Sequence, residues 1–160
     1  MVFAPLDESK LFHIESSDEY KAIQEGTKIA DFIYWRESMN RLIILEAKSS
    51  FAKSGEEYEA EIEAICEKFL NSLDLYLALL IKKSLESTFL KIDYNRISFR
   101  FTLVIRNYTK DWAKNLTDKL QTKVNKAIRV KKIWKPICSV LNLDEAKKIG
   151  LIDGNGDFWQ

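Results

Sequence analysis

Residues 29 to 48 constrain the fold more than any other stretch of this chain. They read I-A-D-F-I-Y-W, then R-E-S-M-N-R, then L-I-I-L-E-A-K. Two apolar runs flank a short polar break, the pattern of two strands joined by a tight connection. Antiparallel pairing centred on Ser38 and Met39 sets Asp31 across from Glu46, Ile33 across from Ile44 and Trp35 across from Leu42. Side chains alternate along a strand, so Asp31, Ile44, Glu46 and Lys48 share one face. Directly opposed Cβ atoms in such a pair lie about 5 Å apart. Two carboxylates held that close repel unless a cation lies between them. The hairpin therefore predicts a two-carboxylate cation site with a lysine beside it.

Glu-x-Lys alone carries little weight here, because the pattern also occurs at Glu8-Lys10, Glu19-Lys21 and Glu145-Lys147. Those three lie in polar stretches and read as solvated surface. Only Glu46-Lys48 closes an apolar run, Leu42 to Leu45, and only it has an upstream aspartate in cross-strand register. A structural ion pair between Glu46 and Lys48 is the competing reading, but it leaves Asp31 without a partner.

Around the hairpin the chain reads as alternating strands and helices. Leu11 to Glu15 fits a short strand. Ser16 to Gln24 fits a weak helix capped by Ser17. Ser54 and Glu57 have capping-box spacing ahead of a long helix, whose apolar stripe is Tyr58, Ile62, Ile65, Phe69, Leu73, Tyr76, Leu77 and Leu80. Ile97 to Ile105 alternates as a strand, with Phe99, Phe101, Leu103 and Ile105 on one side. Asp111 reads as the cap of a second helix through about Ile128, with Leu116, Leu120, Val124 and Ala127 buried. Ile137 to Leu141 reads as a last strand, and Asp144 as the start of a short helix. The tail from Asp153 to Asp157 is turn-like and lacks the closing glutamate of a calcium loop. No linker divides the chain, so residues 1–160 are read as one domain of α/β class with a mixed central sheet flanked by helices.

Asp31, Glu46, Ala47 and Lys48, at the end of an apolar strand, resemble the PD-(D/E)xK nuclease superfamily. Ala30 stands where that family often has proline. Ser72 stands where the RecB-like branch carries the glutamine of Gln-x-x-x-Tyr, although Tyr76 is present, so that branch is disfavoured. The resemblance covers residues 28 to 50, and the order of elements extends it. It implies a restriction-endonuclease-like sandwich and a metal-dependent nuclease hydrolysing phosphodiester bonds of DNA or RNA, an effector of a bacterial defence or restriction system. It also implies that Asp31 and Glu46 hold Mg²⁺ or Mn²⁺ while Lys48 assists the attacking water. A third acid is common in such sites, and Glu15 and Glu19 are the upstream candidates. The alternative is an inactive nuclease-fold subunit that binds nucleic acid or protein, working as a homodimer or beside a partner subunit.

Other chemistry is poorly served. His13 is the single histidine and reads as structural. The chain has no Gly-x-Ser-x-Gly elbow and no P-loop. Cys66 and Cys138 fit no metal spacing and read as buried free thiols. No apolar run approaches a membrane span, and the start lacks a signal-like pattern, so a cytoplasmic protein is expected.

The net charge of +1 conceals segregation. Residues 56 to 67 hold six glutamates and no basic residue, whereas residues 110 to 135 hold nine Lys or Arg. Lys119, Lys123 and Lys126, with Arg129, Lys131 and Lys132, are therefore candidate contacts to a phosphate backbone. Trp112 and Trp134 flank them as candidate stacking platforms.

Overall fold

The computed structural model describes residues 8–23, 26–129 and 131–151. The turn-like tail, Gln24 and the side chain of Lys131 lie outside the described residues. Five strands form one mixed sheet in the order β1-β2-β3-β4-β5. They are β1 (Leu11–His13), β2 (Phe32–Arg36), β3 (Arg41–Lys48), β4 (Ser98–Ile105) and β5 (Ile137–Asn142). β1, β2 and β3 pair antiparallel, and β3, β4 and β5 pair parallel.

The helices are α1 (Asp18–Ile23), α2 (Gly55–Ile81), α3 (Ser87–Leu90), α4 (Lys110–Ala127), α5 (Lys131–Trp134) and α6 (Leu143–Lys148). Parallel strands need a crossover. α2 makes it between β3 and β4, and α4 between β4 and β5.

The hairpin forms in the expected register. Ile33 pairs with Ile44 and Trp35 with Leu42. One helical turn, Glu37–Met39, connects the strands, and Asn40 closes it in the left-handed region at φ 47°. Asparagine tolerates that conformation better than most residues. Alternation then sorts the side chains. Ile33, Trp35, Leu42, Ile44, Phe101 and Leu103 join α2 and α4 in the larger core cluster. Phe32, Ile43, Leu45, Ala47 and Val104 face the other way, onto Ala146 of α6 and Leu151.

The α2 stripe holds over its first five turns and shifts at the end. Leu79 is buried, while Leu77 and Leu80 are only partly so. Ser54 precedes the helix but its side chain makes no cap bond. The chain enters α2 through Gly55 at φ 81°, a turn open mainly to glycine, which carries the Ser54 hydroxyl away from the first N–H groups. Thr109, not Asp111, is the residue that precedes α4, so Asp111 sits in the first turn as a favourable charge. Ala127 is exposed and Ile128 takes its place in the core. A further short helix, α3, was not expected; its Phe89 packs edge-on against Phe12 and Tyr76. α1 does start as read, with Ser17 Oγ accepting from the Tyr20 N–H at 3.2 Å. No helix of the described residues is long and apolar enough to cross a membrane.

Candidate metal centre

The acids of the hairpin meet where the β2–β3 ladder ends. The last paired residues there are Phe32 and Leu45, so Asp31 lies one position beyond the ladder. Its carboxylate closes that end instead, Oδ2 accepting the Ala47 N–H at 2.8 Å. Glu46 points from β3 toward α2 and is only 4% exposed. Its Oε1 accepts from Lys68 of α2 at 2.5 Å, and its Oε2 is buried with no hydrogen-bond partner. A buried carboxylate oxygen with nothing to bind is costly, on the order of 1–3 kcal/mol or more for a charged group.

Electrostatics reports the same crowding. Burial first, and then the charge of Asp31, raise the Glu46 carboxyl from its ordinary 4.5 to about 7 against the opposing pull of Lys68 and Lys48. Burial also raises Asp31. The Ala47 N–H and Lys68 oppose that rise, while the charge of Glu15 adds to it. Glu15 sits in the helical turn Ile14–Ser16 after β1. Of the two upstream acids, it is therefore Glu15 whose charge reaches Asp31. Glu19 lies on α1 instead, lining a groove with Ile23, Leu75 and Leu79.

Lys48 leaves the same face of β3 and bonds Glu61 of α2. Glu61 is itself fixed by the Ala52 N–H on its other oxygen at 2.6 Å. The Lys48 ammonium also lies 5.0 Å from the centroid of Phe51. Sequence reasoning does not single out Lys68 or Glu61, because both sit in a charged stretch that reads as solvated helix. The available signal was spacing: seven residues are two helical turns, which puts Glu61 and Lys68 on one face.

Ser72, one turn beyond Lys68, is fully buried. It accepts the Ala30 N–H at 2.8 Å and donates to the Lys68 carbonyl at 2.7 Å. It thus ties the residue before Asp31 to α2. Tyr76 points elsewhere, its hydroxyl 2.5 Å from that of Tyr94.

Among the described residues no group of three or more His, Cys, Asp or Glu side chains converges on one point. The donor set is two carboxylates, one of them with an orphaned oxygen. That suits Mg²⁺ or Mn²⁺, hard ions that are commonly held by one or two carboxylates and complete their shell with water and substrate oxygens.

The basic residues behave differently. Lys119 bonds Glu59 and Lys123 lies 3.1 Å from Glu63, so the acidic run of α2 and the lysines of α4 face each other. The Lys119 ammonium also stands 4.6 Å from the Tyr58 ring centroid. Lys126, Arg129 and Lys132 are exposed. Trp134 packs on Phe99 and Trp112 on Tyr108, so both indoles serve the core. Cys66 and Cys138 are buried and free. His13 stacks obliquely on Phe32. No protein family matches the chain, and neither does any curated protein or solved structure.

Proposed function

We propose that this protein is a Mg²⁺- or Mn²⁺-dependent phosphodiesterase acting on nucleic acid, with Asp31 and Glu46 as cation ligands and Lys48 as the residue that handles the attacking water. The observation that carries this reading is the buried, unpartnered Oε2 of Glu46 beside the Asp31 carboxylate. A bound divalent cation would neutralise the paired carboxylates, lower the pKa of a coordinated water and offset charge developing on the phosphate.

The chain's own residues supply the rest. Ser72 and the Ala47 N–H hold Asp31 at the end of the hairpin. Glu61, braced by Ala52, holds the Lys48 ammonium on the face that carries Glu46. From there the Lys48 ammonium would orient the water and stabilise the hydroxide formed as the water's proton passes to bulk solvent. Lys68 holds Glu46 Oε1; with a cation on the carboxylates, its ammonium would be free to meet a substrate phosphate. Glu15 is the acid on the β1 side whose charge reaches Asp31, and it stands outside the two-carboxylate donor set. The restriction-endonuclease-like fold, the choice between DNA and RNA, and a role in bacterial defence belong to the same proposal.

The test is cleavage of plasmid, linear DNA and RNA with Mn²⁺ and with EDTA, by the wild type and by Lys48→Ala. Cleavage by the wild type in Mn²⁺ alone, lost in Lys48→Ala, is expected. Metal-independent cleavage, or full activity in Lys48→Ala, refutes it.

A further inference from the structure

The sheet carries a second like-charge cluster, at the opposite end and on the opposite face from the carboxylates. Arg36 of β2 and Arg41 of β3 are direct cross-strand partners. Arg100 of β4 lies opposite Ile43, two residues along from Arg41. All three alternate with Phe32, Ile43 and Val104, so they share the face covered by α6 rather than by α2. Adjacent strands stand about 4.8 Å apart, which packs three guanidinium groups into one small area.

No carboxylate neutralises them among the described residues. Arg36 donates from Nη2 to the Ile149 carbonyl at 2.8 Å, and Arg41 reaches only the Met39 sulfur at 3.7 Å. Arg100 Nε is buried without any hydrogen-bond partner. Directly opposed like charges destabilise a strand pair, and an unmet buried donor adds to that cost. Burial and the charges of Arg41 and Arg36 all lower the Arg100 pKa, the mark of cations that lack a counter-charge. A lysine cluster would present only point charges, whereas three planar forks offer paired N–H donors at the spacing of two oxyanion oxygens.

We propose that Arg36, Arg41 and Arg100 form a binding site for a phosphate group. Arg41 and Glu46 are five positions apart on β3, about 17 Å along the strand, and the two side chains leave opposite faces. The assignment therefore does not rest on the reading of Asp31 and Glu46. The phosphate arrives either free or as the 5′-phosphate of a nucleotide.

The experiment is a thermal melt and a calorimetric titration in EDTA, at ionic strength held constant with sodium chloride. The ligands are inorganic phosphate and adenosine 5′-monophosphate. The wild-type melting temperature should climb with either ligand, by mass action on the folded state. Arg41→Gln and Arg100→Gln should each bind about 10-fold more weakly or worse, the loss expected for a charge-assisted hydrogen bond. Without ligand they should melt no lower than the wild type. Arg41→Lys keeps the charge and the stem but loses the fork, so it too should bind more weakly. Asp31→Asn should respond as the wild type does. The ligand that binds more tightly names the source. A wild type that phosphate stabilises no more than chloride overturns the assignment. So does unchanged affinity in Arg41→Gln, Arg100→Gln or Arg41→Lys, or a response lost in Asp31→Asn.

Discussion

Glu46→Gln should stabilise the metal-free protein at alkaline pH and do so less as the pH falls. The wild-type carboxyl is raised from 4.5 to about 7 by burial and by Asp31. A carboxyl raised by folding favours the folded state while protonated. That contribution is complete below about pH 4.5 and is lost as pH rises through 7. Each tenfold shift in proton affinity is worth about 1.4 kcal/mol, so the ionised carboxylate costs roughly 3 kcal/mol at pH 8. Glutamine keeps the shape and never ionises. Lys68 loses its partner in that variant, but its side chain is 29% exposed and reaches water. Urea unfolding in EDTA at pH 5 and at pH 8 measures the effect. The gain of the variant over the wild type should grow by about 2–3 kcal/mol between the two. A difference independent of pH refutes the reasoning, because Glu46 would then ionise as freely in the folded chain as in the unfolded one. Added Mg²⁺ should reverse the order, stabilising the wild type and leaving Glu46→Gln unmoved.

Three further outcomes are expected. Asp31→Asn should weaken Mn²⁺ binding by tenfold or more in calorimetry, and equal affinity removes Asp31 from the ligand set. Ser72→Ala strands the buried Ala30 N–H, so it should lower stability by about 1–3 kcal/mol in urea unfolding and also weaken Mn²⁺; a stability loss with metal affinity intact would limit Ser72 to packing. Glu59→Gln with Glu63→Gln frees Lys119 and Lys123, and should steepen the log–log salt dependence of duplex binding by up to about 0.9 per lysine. The same change should leave stability close to that of the wild type, since both pairs are exposed.

The hairpin was legible because its register is over-determined. Sliding β3 by one residue would turn Leu42, Ile44 and Glu46 away from α2 and bring Ile43, Leu45 and Ala47 round in their place. The same argument placed Asp31 beside Glu46, one position beyond the true end of the ladder. Alternation also gave the core side of β4, and the lack of any metal spacing gave the free thiols of Cys66 and Cys138. The caps were less legible, because Ser54 and Asp111 satisfy a spacing rule, yet α4 starts after Thr109 and neither Ser54 nor Thr109 makes a side-chain cap bond. Lys68, Glu61 and Ser72 escaped because their role comes from a helix laid across the sheet, a relation between distant segments that no local period encodes. The opposed helix faces hid for the same reason. Six glutamates on one helix and several lysines on another look like two solvated surfaces until α2 and α4 are set side by side.

The double tether between β3 and α2 works as a mechanical key. Glu46 and Lys48 are two positions apart on the strand, and their partners Lys68 and Glu61 are two turns apart on the helix, with the signs reversed. Only one axial setting of α2 satisfies both pairs. Sliding it by a single turn, about 5.4 Å, would bring Glu57 toward Lys48 but set Ala64 opposite Glu46, so the two pairs could not form together. The helix is thus indexed to the strand by the very side chains that would perform the chemistry, and a force or ligand that shifts α2 along its axis would open both ends of the site in one movement.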